Sequence, residues 1–437
     1  MRHRIDYGKT GLEVEIPEGT RLSLVKASEA SPLAEPEIAI RKALEDPIDT
    51  RPLAVLAQGK RDAVVVISDK TRPVPNGLLL PPILETLERS GISRDSIEIL
   101  VGTGLHRANT REELVEMTSP EIVERYRIRN HVARSFAEHH HLGQTRRGTE
   151  IWLDRGYLDA SLKIVTGFIE PHLMAGFSGG RKGVAPGLAG VEMMRSLHGP
   201  AMLEDHVGPG ILAGNPFHED LLEIAHRAGV DFLLNVTVER SHRLTGVFAG
   251  NLDRAHAAGV REVERELRVD LAEAVDIVVT SAGGYPLDAT FYQSVKGLVG
   301  ALNIVKRGGT IILAAEISEG IGSQEFRKLL AELQGDDEFM ARITAPGFFV
   351  VDQWMVQHLC QVLRKAEVVL VTRGLDAEVA RSLHVASAKT VEEALGRALQ
   401  KHGPNAHVAL VPEGPYVLAT VRGRKLSIGR AWRDEAA

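Results

Sequence analysis

The chain has 437 residues, 44% of them hydrophobic and 25% charged, a composition typical of globular proteins with a large buried core. Its 52 basic and 58 acidic residues give a formal net charge of −6, which provides no field to gather polyanions, so nucleic acid is not an expected partner. A single cysteine, Cys360, excludes internal disulfides and multi-cysteine metal sites. No apolar run is long enough to span a membrane, and MRHRIDYGKT does not resemble an export signal, which predicts a cytoplasmic protein without membrane contacts.

Short runs of β-branched and aliphatic residues recur along the chain, with segments of helical periodicity between them. In chain order these predicted strands are AVVVIS at 63–68, SIEILVGTG at 96–104, LKIVTG at 162–167, DIVVTSAGG at 276–284, GTIILAAE at 309–316, EVVLVT at 367–372 and HVALVP at 407–412. Runs that are apolar on both faces indicate mostly parallel sheets covered by helices, which is the α/β class.

The length of the chain predicts two domains, at roughly 150 residues or more each. A charged segment of helical character at 255–275 precedes a new set of strands, so we place the boundary there. The predicted domains are 1–268, an N-terminal catalytic domain, and 269–437, a C-terminal α/β domain that contributes contacts to substrate and cofactor. In open α/β sheets ligands bind beyond the carboxyl ends of the strands, which predicts an active site in the cleft between the domains.

Polar residues follow the first two predicted strands. Asp69 and Arg72, in SDKTRPVP, come after AVVVIS, and an arginine fixed in such a loop suits bidentate capture of a carboxylate or phosphate. A solvated surface pair is the alternative. The GTGLHR segment begins like a dinucleotide-binding loop but lacks the third glycine, which makes it weak evidence for NAD. His106 in this loop is able to exchange protons near neutral pH, and its alternative is a solvated or capping histidine.

The segment 167–199 places His172, Lys182 and His198 around a glycine-rich turn. Arg181 stands beside Lys182, and an adjacent cation favours a neutral, nucleophilic amine. An anion-binding turn, in which Lys182 pairs with a phosphate, is the alternative. His198 has no second histidine three or four residues away, which argues against a conventional zinc triad.

The remaining candidates lie further from this segment. The run His139–His141 is interpreted as incidental surface in a polar loop. Tyr292, Gln293 and Lys296 fall on the first turns of a helix predicted to run to about residue 306, where Lys296 and backbone donors form either an anion site or a solvated helix start. Trp354 is predicted to belong to the core or to wall a flat ring.

Eight features occur together and in order between about residue 60 and about residue 315: DKTRPVP, GTGLHR, GFIEPH, GFSGGRKGVAPG, the isolated histidine at 198, GNPFHED, GGYPLD and YQSVKG. In this combination the chain resembles nickel-dependent lactate racemase and its relatives, the 2-hydroxyacid racemases and epimerases that use a nickel-pincer nucleotide. The match covers more than half of the chain, and its specificity lies in the combination. The resemblance implies an isomerase that inverts the hydroxyl-bearing carbon of a small-molecule 2-hydroxy acid.

The resemblance also implies a cofactor and its anchors. Lys182 would carry the nucleotide through a thioamide, two sulfurs and one pyridinium carbon of the nucleotide would hold Ni²⁺, and His198 would supply the fourth ligand. Soft sulfur donors with one imidazole suit square-planar nickel, which accounts for a metal ligand that stands alone in the sequence. Cofactor-synthesis and nickel-insertion proteins are then expected partners during maturation.

For the reaction, the resemblance assigns His106 and His172 as acid and base on opposite sides of the substrate, while the Cα hydride moves to the pyridinium ring and a transient 2-keto acid forms. The other candidates are assigned to binding: Arg72, Gln293 and Lys296 to the substrate carboxylate, Asp69 to orienting a histidine or the arginine of the substrate site, and Tyr292 and Trp354 to the pocket walls that contact the cofactor.

Two points keep the substrate and the reaction class open. Leu173 and Met174 stand where lactate racemases carry aromatic residues, so lactate and a larger 2-hydroxy acid are both candidate substrates. Two other functions compete with the racemase: an NAD-dependent 2-hydroxyacid dehydrogenase, based on the incomplete glycine motif, and a non-enzymatic protein that binds sugar acids or other anions in its glycine-rich loops.

Overall fold

The structure is a computed structural model that describes residues 1–28, 30–204 and 206–423. Its strands are, in chain order, β1 (Arg2–Ile5), β2 (Leu12–Glu15), β3 (Arg21–Leu24), β4 (Ala63–Ser68), β5 (Ile97–Gly102), β6 (Arg127–Asn130), β7 (His139–Gln144), β8 (Glu150–Asp154), β9 (Lys163–Phe168), β10 (Pro171–His172), β11 (Gly176–Phe177), β12 (Phe232–Val238), β13 (Leu244–Gly250), β14 (Arg268–Leu271), β15 (Val275–Ser281), β16 (Val305–Ala314), β17 (Ala366–Val371), β18 (Ala386–Ala388), β19 (His407–Val411) and β20 (Leu418–Val421).

The helices are α1 (Pro36–Glu45), α2 (Leu53–Ala57), α3 (Asn76–Arg89), α4 (Arg111–Met117), α5 (Pro120–Arg125), α6 (Arg155–Asp159), α7 (Val191–Leu197), α8 (Ala201–Glu204), α9 (Pro216–Ala228), α10 (Leu252–Leu267), α11 (Phe291–Ala301), α12 (Gln324–Ala331), α13 (Asp336–Ile343), α14 (Gln353–Lys365), α15 (Ala377–Arg381) and α16 (Val391–His402). Side-chain caps fix where several of them begin. At α10, for example, the Asn251 side chain accepts the backbone N–H groups of Asp253 and Arg254.

The first sheet has the strand order β13-β12-β9-β4-β5-β6, and its neighbours are parallel except for β12 with β13. Strand β4 explains why the predicted runs are apolar throughout. Val65 and Ile67 pack on one face of the sheet and Val64 and Val66 on the other, and each is at most 1% exposed. The predicted α/β class with mostly parallel sheets is confirmed.

The second sheet has the order β18-β17-β16-β15-β19-β3 and is parallel throughout. Four of its strands correspond to the four later runs of the sequence. Strand β3 comes from the beginning of the chain, yet Arg21 in it pairs with His407 in β19, and the β1-β2 hairpin packs on the same core. The division into 1–268 and 269–437 stays a prediction, and β3 crosses it.

Three local predictions differ from the structure. The helical segment near 255–275 ends at Leu267, and the residues after it form β14, which pairs with β20. Helix α11 ends at Ala301, short of residue 306. The His139–His141 run belongs to strand β7 rather than to a loop, because this segment pairs with β8, and His139 is buried by that pairing. No helix in the described ranges is both long and apolar enough to cross a membrane.

Candidate active site

Three loops of the first sheet meet at one edge. They follow β4, β5 and β9, which are adjacent strands, and they carry Asp69 and Arg72, then His106, then His172. Because the carboxyl ends of parallel strands lie at the same edge of a sheet, the fold brings these side chains together.

Helices α11 and α14 of the second sheet form the opposite wall. Lys296 on α11 lies close enough for its charge to act on the pKa of His172. Trp354 on α14, and Leu173 beside His172, pack against core residues belonging to both sheets. The structure therefore gathers the site residues predicted from the sequence into one cleft between the two sheets.

His106 is hydrogen-bonded to a buried carboxylate. Its Nδ1 donates to Oδ2 of Asp69 at 2.6 Å, and the Thr71 hydroxyl donates to Oδ1 of the same group at 2.7 Å. Burial acts to raise the pKa of Asp69, but the hydrogen bonds from His106 and Thr71 and the charge of Arg72 outweigh it, so this pKa lies below its ordinary value. The ionised carboxylate fixes the His106 tautomer that has a lone pair on Nε2.

His172 is held by backbone amides instead. The N–H groups of Met174 and Ala175 each donate to its Nδ1, both at 3.1 Å. They reach the ring because the chain turns back tightly between β10 and β11. Burial lowers the pKa of His172 well below its ordinary value, and the positive charges of Lys182 and Arg72 lower it further. The ring is therefore neutral at physiological pH.

Lys182 lies in a 3₁₀ turn, Gly180–Gly183, that packs against the first sheet. The first amide of this turn donates to Oδ1 of Asn235 in β12 at 2.7 Å. Burial lowers the pKa of Lys182 well below its ordinary value, and the charges of Arg72 and Arg181 add to the effect. A lowered pKa favours the unprotonated amine, which is the form that acts as a nucleophile.

Arg181, the neighbour of Lys182, is only 1% exposed. Its guanidinium donates to the carbonyl oxygens of Ala175 at 2.6 Å and Phe177 at 3.0 Å, and it lies 2.9 Å from Nε2 of His256. In the described ranges it has no carboxylate partner, and burial lowers its pKa to about 9. The sequence placed Arg181 beside the lysine, but it carried no sign that the guanidinium is buried without a counter-ion.

His198 follows α7 and contacts the opposite wall. Its Nδ1 donates to the carbonyl of Met194 at 3.1 Å, which leaves the lone pair on Nε2. The Trp354 ring lies 4.5 Å from the imidazole between centroids, and Trp354 Nε1 donates to the hydroxyl of Tyr292 at 3.1 Å. Burial lowers the pKa of His198 to about 4, and the charge of Lys182 acts in the same direction.

Helix α11 begins where the Thr290 hydroxyl accepts the backbone N–H of Gln293. The Oε1 atom of Gln293 is buried and has no hydrogen-bond partner among the described residues. Burial lowers the pKa of Lys296 to about 8, the charge of Arg72 acts in the same direction, and Glu170 opposes them. Two cations from opposite walls thus face one space, which favours an anionic ligand.

Glu170 is the site residue that the sequence reasoning missed. Burial raises its pKa, against the opposing charges of Arg72, Lys296 and Lys182, so its carboxylate lies among all three cations. The signal was present, since GFIEPH places this acid two residues before a candidate histidine. Tyr416, after β19, adjoins it from the second sheet, and burial together with the charge of Glu170 raises the pKa of Tyr416 to about 12.

The donor set fits a metal-bearing nucleotide. Among the described residues no three His, Cys, Asp or Glu side chains lie close enough to hold a metal ion, so a metal at His198 needs a cofactor that supplies its other ligands. His198 offers an Nε2 lone pair, and the amine of Lys182 lies near enough for its positive charge to act on the pKa of His198. These two residues are suited to hold one cofactor from two points.

The fold and the cleft define the class: a two-sheet α/β protein whose cleft contains two differently hydrogen-bonded histidines and several cationic side chains. Family models support a particular member of that class. The model described as lactate racemase N-terminal domain matches residues 7–208, and the one described as lactate racemase C-terminal domain matches residues 270–419. The chain belongs to the lactate racemase family.

Relatives and solved structures agree with this. The chain is 34% identical to lactate racemase from Thermoanaerobacterium thermosaccharolyticum over 95% of its own length and 98% of the relative, and 36% identical to lactate racemase from Lactiplantibacillus plantarum over 86% and 89%. The solved lactate racemase apoprotein from the former species superposes with a TM-score of 0.90, covering 96% of this chain and 100% of that one at 34% identity. A Thermotoga maritima protein at 18% identity, with a TM-score of 0.65, shares the fold over 90% of this chain and 100% of its own.

Proposed function

We propose that this chain is a racemase or epimerase that inverts the hydroxyl-bearing carbon of a 2-hydroxy acid with the help of a nickel-pincer nucleotide. The observation that carries the proposal is that Lys182, whose pKa is lowered by burial and by neighbouring cations, lies near His198 in a cleft that also contains two differently held histidines. Membership of the lactate racemase family supports the reaction class. The family relationship disfavours the dehydrogenase and the non-enzymatic binding protein.

Lys182 and His198 would hold the cofactor. The neutral amine of Lys182 is suited to form the thioamide, and Nε2 of His198 is suited to complete the coordination of Ni²⁺. When bound, the nucleotide accepts the Cα hydride of the substrate and returns it. Trp354 and Tyr292, joined by their hydrogen bond, belong to the opposite wall, where Trp354 contacts His198. Proteins that build the nucleotide and insert nickel are therefore proposed partners, and we propose the cytoplasm as the location of the chain.

The substrate carboxylate would bind between the two walls. Arg72 on the first sheet and Lys296 on the second supply opposing cations, and Gln293 adds an amide in the same region. A guanidinium is suited to bidentate contact with a carboxylate. Glu170 already lies among these cations, so it limits how much further negative charge the cleft favours.

The choice of substrate depends on Leu173 more than on its neighbour. Met174 is 2% exposed and packs in the core of the first sheet. Leu173 is half-buried and contacts the cores of both sheets at the cleft. An aliphatic residue here leaves more room than an aromatic ring, and we propose lactate or a larger 2-hydroxy acid as substrate.

The hydroxyl proton would be exchanged with His106 and His172. Asp69 is a positioning residue for His106, since the 2.6 Å hydrogen bond fixes the ring and would stabilise its protonated form. The backbone amides of Met174 and Ala175 fix the ring of His172.

Intact-mass analysis of protein co-expressed with the cofactor-synthesis enzymes tests the proposal. We expect a covalent adduct that maps to Lys182, is absent from K182A and persists in K163A, a control at the first residue of β9. The adduct-bearing protein should racemise single enantiomers in a chiral assay of 2-hydroxy acids. A chain without an adduct and without inversion would overturn the proposal, and reduction of added NAD by the same acids would favour the dehydrogenase.

A further inference from the structure

The two hydrogen bonds to Nδ1 of His172 determine where its ring proton lies. A ring nitrogen that accepts N–H groups from both Met174 and Ala175, at 3.1 Å each, carries no proton itself. The neutral ring must therefore be protonated on Nε2. Adding a second proton at Nδ1 would break both bonds and leave two backbone amides without partners, which is unfavourable in a buried environment.

His106 has the opposite arrangement. Its Nδ1 carries the proton that is donated to Asp69, so Nε2 has the lone pair. A second proton, added at Nε2, would break no hydrogen bond and would place a cation next to a buried carboxylate. His106 is thus prepared to accept a proton and His172 is prepared to donate one.

The surrounding charges reinforce this difference. His172 is within the electrostatic reach of Lys182 and Arg181 on the 3₁₀ turn, Arg72 after β4 and Lys296 on α11. The acid facing those same cations is Glu170. Such an environment disfavours a cationic imidazole and favours an anionic one.

We propose that the two histidines are not interchangeable: His106 is a base that alternates between neutral and cationic forms, and His172 is a neutral acid that alternates between imidazole and imidazolate. The inference rests on the proposed racemase function. It assigns different proton chemistry to the two sides of the substrate. In a symmetric pair, both histidines would alternate between neutral imidazole and cationic imidazolium.

The proton balance is as follows. On the His106 side, the hydroxyl O–H bond breaks and an N–H bond forms at Nε2. On the His172 side, the N–H bond at Nε2 breaks and the oxygen of the inverted alkoxide gains that proton, leaving an imidazolate whose Nδ1 still accepts two amides. Neutral imidazole N–H and alcohol O–H groups have similar acidities, so this transfer is nearly balanced. Turnover in the opposite direction, or exchange with water, restores both rings.

Nitrogen-15 NMR of histidine side chains in the full-length apo protein tests the inference without relying on turnover. We expect His172 to show a protonated Nε2 and an unprotonated Nδ1. Neither nitrogen should titrate between about pH 5.5 and pH 8.5, the range in which histidines usually titrate. His106 should show the reverse tautomer, with a protonated Nδ1 and an unprotonated Nε2. H172Q and H106Q assign the signals by their loss, and L173A assigns His172 by a shift if H172Q does not fold.

An imidazolium signal for His172 near neutral pH, or a proton on its Nδ1, would overturn the inference. In the cofactor-loaded enzyme, glutamine keeps an N–H donor but cannot act as a base, so H172Q should retain at least about tenfold more activity than H106Q. Equal losses in the two variants would contradict the asymmetry. A missing Lys182 adduct would instead refute the proposed function and leave the NMR result standing.

Discussion

Arg129 and Arg181 both belong to the first half of the fold, but their surroundings differ. Arg129 makes a bidentate pair with Asp154 at 2.7 and 2.8 Å and also donates to Glu98 at 3.1 Å. Arg181 is more deeply buried, donates to carbonyl oxygens and lies beside His256. The charge of Arg129 is neutralised by these carboxylates. The charge of Arg181 is not neutralised, so it acts on the adjacent Lys182.

The pKa values follow this contrast. Burial acts to raise the pKa of Asp154, but the hydrogen bonds from Arg129 and His131 outweigh it and hold that pKa well below its ordinary value. At Lys182, burial and the charges of Arg72 and Arg181 act together to lower the pKa. Paired charges therefore stabilise the fold, and unpaired cations in the cleft prepare an amine for chemistry.

The largest effect is expected for R129M. Removing this partner leaves Asp154, whose side chain is 1% exposed, as an uncompensated buried charge, which costs about 3–5 kcal/mol. Urea unfolding of the apo protein measures the loss. The control R127M removes a 72% exposed arginine that pairs with Glu98 and should cost less than about 1 kcal/mol. Similar losses of unfolding free energy in both variants would show that the Arg129 network contributes no more to stability than an exposed ion pair.

The pH dependence of activity tests the unpaired cation on the opposite wall. The pKa of Lys296 is lowered to about 8, so the free enzyme holds this charge below pH 8 and loses it as the pH rises. We expect kcat/KM to fall by about tenfold per pH unit above that point, because the substrate carboxylate loses a cation. K296R keeps its charge and should remove this inflection. An unchanged inflection in K296R would assign it to another group.

R181M is expected to have a smaller effect on stability than R129M. It leaves the carbonyls of Ala175 and Phe177 without a donor but strands no carboxylate, so a loss of about 1–3 kcal/mol is expected. Removing the cation should also raise the pKa of Lys182, so labelling of Lys182 by an amine-reactive reagent at pH 7–8 should slow. Mass spectrometry measures the labelling, with R195M on the exposed face of α7 as control. Wild-type labelling in folded R181M would contradict the comparison.

The smallest effect on stability is expected for the neutral hydrogen bond between Trp354 and Tyr292 in the cleft wall. W354F keeps a ring beside His198 but removes the bond to Tyr292, which should cost about 0.5–1.5 kcal/mol. Thermal unfolding of W354F, Y292F and the double variant gives the coupling energy between the two residues, expected to be about 1 kcal/mol. Fully additive losses of stability would mean that the hydrogen bond between Trp354 and Tyr292 does not stabilise the protein.

Much of the fold was predictable because the strands are apolar on both faces. All seven predicted runs contain strands. Strands β12 and β13 were not recognised, and the buried part of FLLNVTV includes the polar residues Asn235 and Thr237. Strand β3 was not predictable from local pattern, since RLSL is partly exposed and its partner β19 lies at the far end of the sequence.

For the site, motifs at strand ends identified the residues, because parallel strands bring their carboxyl ends to one edge. The sequence did not reveal protonation states. Whether His172 is held by amides or by a carboxylate depends on the turn between β10 and β11, a tertiary detail with no compositional signature. Glu170 and the buried guanidinium of Arg181 were overlooked for the same reason, since burial decides their effect.

The pairing of β3 with β19 also orders events during translation. The strands of the first sheet all lie between Ala63 and Gly250, so that half is able to close while the ribosome is still making the rest. β3 leaves the ribosome before them but waits for β19, on the order of a minute later at about 5–20 residues per second. The half with Lys182 and both histidines therefore exists first as an open face, and the half with Lys296 closes over it last.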